Sequence, residues 1–287
     1  MDRRCKVNRT VIIHASEPVK GKATNSDHPL RGIGEPETPG TIVSKMKENA
    51  MMDLFKITDA QVTALKTLRF GPPVTHVYNP LEYARRAYDA YLRKYGGKPR
   101  EIILVGMNPG PWGMAQTGVP FGEITVVRDW LGIHAPIGKP VEIHPKRPVD
   151  GFHCKRSEVS GKRLWGWAKK TFVTPAKFFA RFFVANYCPL MFIEESGRNR
   201  TPNNIRSSER KPLLSICDQA LRDTVLYFNP RYVVGIGEFA AGRAKIALGD
   251  LDVIIGRITH PSPANPKANK GWEPLISKEL LQLGIKT

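Results

Sequence analysis

Between Glu101 and Gly122 the chain reads EIILVGMNPGPWGMAQTGVPFG. Residues 102–105, Ile-Ile-Leu-Val, are apolar at every position, the pattern of a short strand buried on both faces. Such a strand needs a covering layer on each side, which points to a parallel sheet between helices. The Gly- and Pro-rich segment that follows can neither prolong the strand nor enter a helix at once. Open α/β sheets bind their ligands at such C-terminal strand exits. Asn108 is the polar side chain at this exit, and Phe121 supplies a ring at the end of the loop.

The rest of the chain supplies the other layers. Further apolar runs at residues 181–187, 231–237 and 252–259 read as strands. Helical periodicity marks residues 50–68, 80–95, 212–226, 238–248 and 274–283, with shorter turns at 126–130, 164–171 and 175–180. Asn79-Pro80 is a capping residue followed by Pro at the first helical position. Strands alternating with helices predict an α/β fold, a central parallel sheet of about four strands with helices on both faces. Residues 1–48 are polar, basic and aperiodic, and read as a disordered or loosely attached arm before one domain at 49–287.

Forty-four Lys and Arg against 26 Asp and Glu give a formal net charge of +18. That excess points to a polyanionic partner, nucleic acid before an anionic membrane. No apolar run approaches the roughly 18 residues that span a bilayer, and no secretory signal is evident. An intracellular monomer is expected, in the nucleus of a eukaryote or the cytoplasm and nucleoid of a bacterium. Cys5, Cys154, Cys188 and Cys217 match no zinc or cluster spacing, and neither do His134, His144 and His153, so neither metal nor cofactor is expected.

Asn108, Asn186 and His260 stand at the ends of three of the four predicted strands. In a parallel sheet those ends share one edge, so the three side chains can converge on one pocket. The GMNPGPWGM loop carries no carboxylate, which argues against strong general-base catalysis there. An Asn can orient water and a His can stabilise charge on a leaving group, a pairing suited to hydrolysis of a bond with a good leaving group. The amide of Asn186 can donate and accept at once, as reading a nucleobase edge requires, and Phe121 can stack on its face. Each residue also has a plain structural reading, as a turn former or a satisfied core group. A binder without catalysis is the rival of another class, since Gly235-Ile236-Gly237 follows a strand and opens a helix like part of a dinucleotide fingerprint.

GMNPGPWGMAQTGVPFG together with HPSPANPKANKGW closely resembles the single-strand-selective monofunctional uracil-DNA glycosylases of the uracil-DNA glycosylase superfamily. VRDWLGI, HPKRPV, SEVSG, ANYCPL, SGRN with the following TP, and GIG extend the likeness over roughly residues 70–285. The resemblance implies that Asn108 positions the hydrolytic water and that His260 stabilises the departing base. It implies that Asn186 reads the uracil edge, that Phe121 stacks on it, and that Met107, Gly110 and Met114 line the pocket. Gly110 would leave room at the pyrimidine 5-position, so 5-hydroxymethyluracil is an expected substrate beside uracil.

By the same resemblance, the stretch Pro261, Ser262, Pro263, Ala264, Asn265, Pro266, Lys267, Asn269, Lys270, Gly271 and Trp272 is the wedge that enters the duplex and contacts DNA, single- or double-stranded. Arg198 is expected to bind DNA beside it, with Arg200, Arg206, Arg210, Lys211, Lys162 and Arg163 on the same surface. Ala264 stands where vertebrate members carry Arg, and Trp112 where they carry Phe. With no Lys at the water-positioning site, lyase chemistry is not expected. A superfamily enzyme acting on deaminated purines is the nearer alternative.

Overall fold

The computed structural model describes residues 53–97 and 99–287. The arm expected at residues 1–48 lies outside the described residues. Among these, the strands are β1 (Val74–Tyr78), β2 (Ile102–Gly106), β3 (Phe182–Asn186), β4 (Met191–Glu194), β5 (Asn199–Arg200), β6 (Tyr232–Ile236) and β7 (Ile254–Ile258). Four of them make the expected parallel sheet, in the order β3-β2-β6-β7. β2 and β6, the inner pair, are buried at every position, which is why their sequences are continuously apolar.

Neighbouring phenylalanines on β3 show how both faces are covered. Phe182 packs against Trp167 and Phe172 of the Val159–Phe172 helix and stacks on Phe178 of the Pro175–Phe179 helix, with ring centroids 5.1 Å apart. Phe183 points the other way, onto Tyr91 of the Arg85–Tyr95 helix and Phe228 at the end of the Ser207–Phe228 helix. The period of two in a strand thus feeds two separate layers from one sequence run.

A second, antiparallel sheet, β1-β4-β5, departs from the expected single sheet. β1 and β5 are short and partly exposed, and their mixed burial leaves no apolar run to detect. Helix ends also differ from the sequence reading. The helix expected at 80–95 is two, Pro80–Tyr83 and Arg85–Tyr95, broken at Ala84. The turn expected at 164–171 is a full helix, Val159–Phe172, and the helix expected from Pro212 starts at Ser207 and holds that proline inside it. Residues Val126–Trp130 form a single π-helical turn. The buried thiols of Cys188 and Cys217 are hydrogen-bonded to each other, and they and the half-buried Cys154 form no disulfide.

Phe182 has no exposed surface and packs against three aromatic rings on one face, Trp167, Phe172 and Phe178. Truncation of Phe182 to Ala is expected to cost about 3–5 kcal/mol, seen as a lowered urea midpoint at unchanged slope.

Candidate active site

The site is built outward from the C-terminal end of β2. β2 and β3 run in parallel register with Gly106 opposite Asn186. The ladder continues past both strands: Tyr187 N–H donates to Gly106 O and Cys188 N–H to Met107 O, each at 2.9 Å. The backbone entering Asn108 is therefore pinned to the sheet. Asn108 Nδ2 donates to Leu190 O at 3.2 Å, which leaves Oδ1 as the atom able to accept from a further donor.

Phe121 closes the pocket from the far end of the loop. Its φ of +55° lies where a bulky residue rarely sits, a conformation costing on the order of 1–3 kcal/mol. Trp165 Nε1–H holds it there by donating to Phe121 O at 3.1 Å. The ring lies on Gly106. A Cβ at that glycine would stand 2.4 Å from Phe121 Cε2 and 2.5 Å from Asn186 Oδ1. Glycine alone lets the ring and the amide meet over the strand end. Asn186 Nδ2 rests on Met114 Sδ at 3.2 Å, a weak acceptor that a better one can displace.

His260 follows β7, and its ring centroid is 6.3 Å from that of Phe121. Nδ1 accepts from the Ser262 backbone N–H at 3.0 Å, so the neutral ring carries its proton on Nε2. Burial holds the imidazole below the ordinary value of 6.5, which favours that neutral form near pH 7. The structure thus sets Asn108, Asn186 and His260 at strand ends along one sheet edge, with Phe121 and Met114 beside them.

The segment after His260 is braced against itself. Asn265 Nδ2 donates to His260 O, Ala264 N–H to Ser262 Oγ, and Asn269 Nδ2 to Pro263 O. Asn265 caps the short Pro266–Asn269 helix through Lys267 N–H. Pro263, Ala264, Pro266, Lys267, Asn269, Lys270 and Gly271 are exposed, and Ser262 is half-buried. Two residues expected on this DNA-contacting surface do not belong to it. Trp272 is 3% exposed: it opens the Trp272–Gln282 helix, donates to Thr259 O and packs edge-on against Trp167. Pro261 is buried as well, its carbonyl accepting from Arg163. Arg163 also donates to Asn269 Oδ1, so this cation props the segment rather than standing free. Arg200 is likewise engaged, paired to Glu194 at 3.0 Å, whereas Arg198 is exposed.

Sequence reasoning missed the residues that hold the loop from behind. Gln116, 1% exposed, donates to Pro111 O and Pro148 O and accepts from the N–H groups of Asp150 and Gly151. Asn199 of β5 donates to Pro109 O, which gives the second sheet its part in the site. Glu158, before the Val159–Phe172 helix, lays its carboxyl against Gly110 and Gly113, where added Cβ atoms would come within 2.3 and 3.0 Å of its Oε2. That carboxyl accepts from the Trp112 N–H, while its Oε2 is buried without a partner. The loop itself carries no carboxylate, but the fold brings one beneath it. Only the SEVSG motif marked that position.

The Uracil DNA glycosylase superfamily model matches residues 93–279. The chain belongs to that superfamily, and within it to the single-strand selective monofunctional uracil-DNA glycosylases. The Rattus norvegicus and Mus musculus proteins of that name are each 48% identical over 223 residues, 77% of this chain and 80% of theirs. The Bos taurus protein is 47% identical over the same share of this chain and 82% of its own. The crystal structure of wild-type Pedobacter heparinus SMUG2 aligns with a TM-score of 0.56 over 79% of this chain and 97% of that one; at 16% identity it supports the fold.

Burial raises the Glu158 carboxyl above the usual carboxylate range. A raised folded-state value means that the native protein binds the proton more tightly than the unfolded chain, so stability falls as pH rises through that window. Replacing Glu158 by Gln should remove this loss. Urea midpoints compared from pH 4 to 8 are expected to show the variant gaining on the wild type as pH rises above the ordinary value of 4.5.

Proposed function

We propose that this chain is a monofunctional DNA glycosylase of base-excision repair. It hydrolyses the N-glycosidic bond of uracil, and of 5-modified uracils such as 5-hydroxymethyluracil, in single- and double-stranded DNA. The observation that carries the reading is the amide of Asn108 and the neutral imidazole of His260 at two ends of one sheet, with the Phe121 ring and the Asn186 amide beside them.

The chemistry follows from those groups. Asn108 Oδ1 accepts a hydrogen bond from a water and aims its oxygen at the sugar C1′. As the C1′–N1 bond breaks, its electron pair leaves with the base, and negative charge gathers on N1 and O2. His260 Nε2–H donates to O2 and stabilises that charge, a contribution of the oxyanion-hole kind. The attacking water gives up its proton to solvent, and the base anion takes one up after release. Asn186 accepts from N3–H and donates to O4, a pattern that cytosine, with an N3 acceptor and an N4 donor, cannot satisfy. The exposed Pro263, Ala264 and Lys267 meet the duplex where the base is expelled. No residue of the loop offers an amine for a Schiff base, so the product is an abasic site and not a cut strand.

The test is release of uracil from a labelled strand in EDTA, with strand scission read before and after alkali. Asn108→Ala and His260→Leu are each expected to lower the single-turnover rate on the order of 100-fold or more. Because His260 works as the neutral ring, the wild-type rate should stay flat down through pH 6.5 and fall only below it. Absence of uracil release by folded wild type, or activity on inosine-containing strands alone, would overturn the reading.

A further inference from the structure

Beside the catalytic loop lies a basic groove that the site described above does not use. It encloses about 590 Å³, and its lining includes Trp112, Lys146, Arg147, Asp150, Lys155 and Arg156. Two guanidinium groups lie over the one indole: Arg156 at 4.5 Å from the ring centroid and Arg147 at 5.2 Å. Contacts of this kind hold the cations in place while leaving their N–H edges free.

Several arginines elsewhere are neutralised. Arg85, Arg181, Arg200, Arg222, Arg243 and Arg257 are each paired with a carboxylate. Among the described residues no carboxylate pairs with Arg147 or Arg156. Arg147 Nε is buried without a hydrogen-bond partner, and the guanidinium's one bond is to the Lys146 carbonyl, at 3.2 Å. Asp150, the single acid of the lining, faces four Lys and Arg side chains. Cations gathered this closely without counter-charge repel one another, and an anionic ligand relieves that cost.

The groove wall is tied to the loop by hydrogen bonds. Gln116 bonds both the loop at Pro111 and the groove wall at Pro148, Asp150 and Gly151. Tyr78 OH donates to Arg147 O and accepts from His144 N–H, and the buried His144 ring accepts in turn from Lys146 N–H. Trp112 follows Asn108 by four residues, at most about 14 Å of extended chain, so a strand threading the pocket passes the groove within a few nucleotides.

We infer that this groove is a phosphodiester-binding track for the DNA strand flanking the nucleotide in the pocket, with Arg147 and Arg156 as its phosphate ligands. The inference rests on the DNA reading of the site, but its test needs no excision. Fluorescein-labelled single-stranded DNA without uracil is titrated with the full chain, by anisotropy, over a series of NaCl concentrations. Each phosphate contact contributes about 0.7 to the slope of log affinity against log salt on a single strand. Arg156→Gln should lower the slope by about 0.7 and the Arg147→Gln, Arg156→Gln pair by about 1.4, with affinity falling about tenfold for the pair. The deficit should shrink as the strand is shortened to the few nucleotides that the pocket alone covers.

Unchanged slopes would overturn the inference. So would a loss that ignores strand length and tracks a lowered melting temperature, since that marks a distorted loop. Competition by polyglutamate that depends on these arginines while DNA binding does not would assign the groove to an acidic protein instead. If the slopes shift as stated but wild type releases no uracil, the track stands and the glycosylase reading fails.

Discussion

The register of β2 against β3 is the constraint on which the site depends. It sets Gly106 opposite Asn186, and the absence of a side chain at Gly106 lets the Phe121 ring settle against that amide. A slip of one residue would turn every side chain on the strand to the other face, putting Leu104 and Val105 where the opposite layers expect them. The two phenylalanines of β3 resist such a slip, because each fills a different aromatic layer. Core packing and pocket geometry are therefore set by the same strand pair. The strained φ of Phe121 is held within that frame by the Trp165 indole, itself fully buried.

Apolar runs announce themselves, which is why β2, β3 and β6, the partly exposed edge strand β7 and the residues at their exits were legible. Asn108, Asn186 and His260 needed no more than the rule that parallel strands end on one edge. β1 and β5 were not legible, since short strands with exposed positions resemble the loops around them, and the buried β4, at four residues, is too short to stand out after the 181–187 run. Trp272 was misread because it directly follows a Pro-rich, polar stretch. Nothing local shows that it starts a helix whose other members, Ile276 and Leu280, are buried with it. Glu158 and Gln116 act on segments distant in sequence, and a single chain carries no periodic signal for such contacts.

Some of the cations are internal framework. Arg163, Arg200 and Arg243 hold backbone or carboxylates in place and have little charge to offer a distant phosphate. A count of Lys and Arg alone thus overstates the binding surface. The cations that matter for an anionic ligand are the ones the fold leaves unpaired, and those around Trp112 and along the exposed 263–270 segment flank the pocket from two sides. That arrangement suits a polymer passing through the site better than a small anion resting in it.

One turn carries both the imidazole and the exposed segment after it. Ser262 N–H fixes the tautomer of His260, Ser262 Oγ accepts from Ala264 N–H, and Asn265 returns a bond to the His260 carbonyl. A push on Pro263 or Ala264 is therefore transmitted to the ring nitrogen that, in the proposed mechanism, meets the leaving base. Expulsion of the base and stabilisation of its charge would then be steps of one rigid element. Ala264 offers the duplex only a methyl group, so in that element backbone shape, set by the prolines and the Asn265 cap, has to supply the push. The lowered pKa of His260 fits the same design: a neutral donor is already in its working state before the charge it must meet has formed, and no proton has to move first.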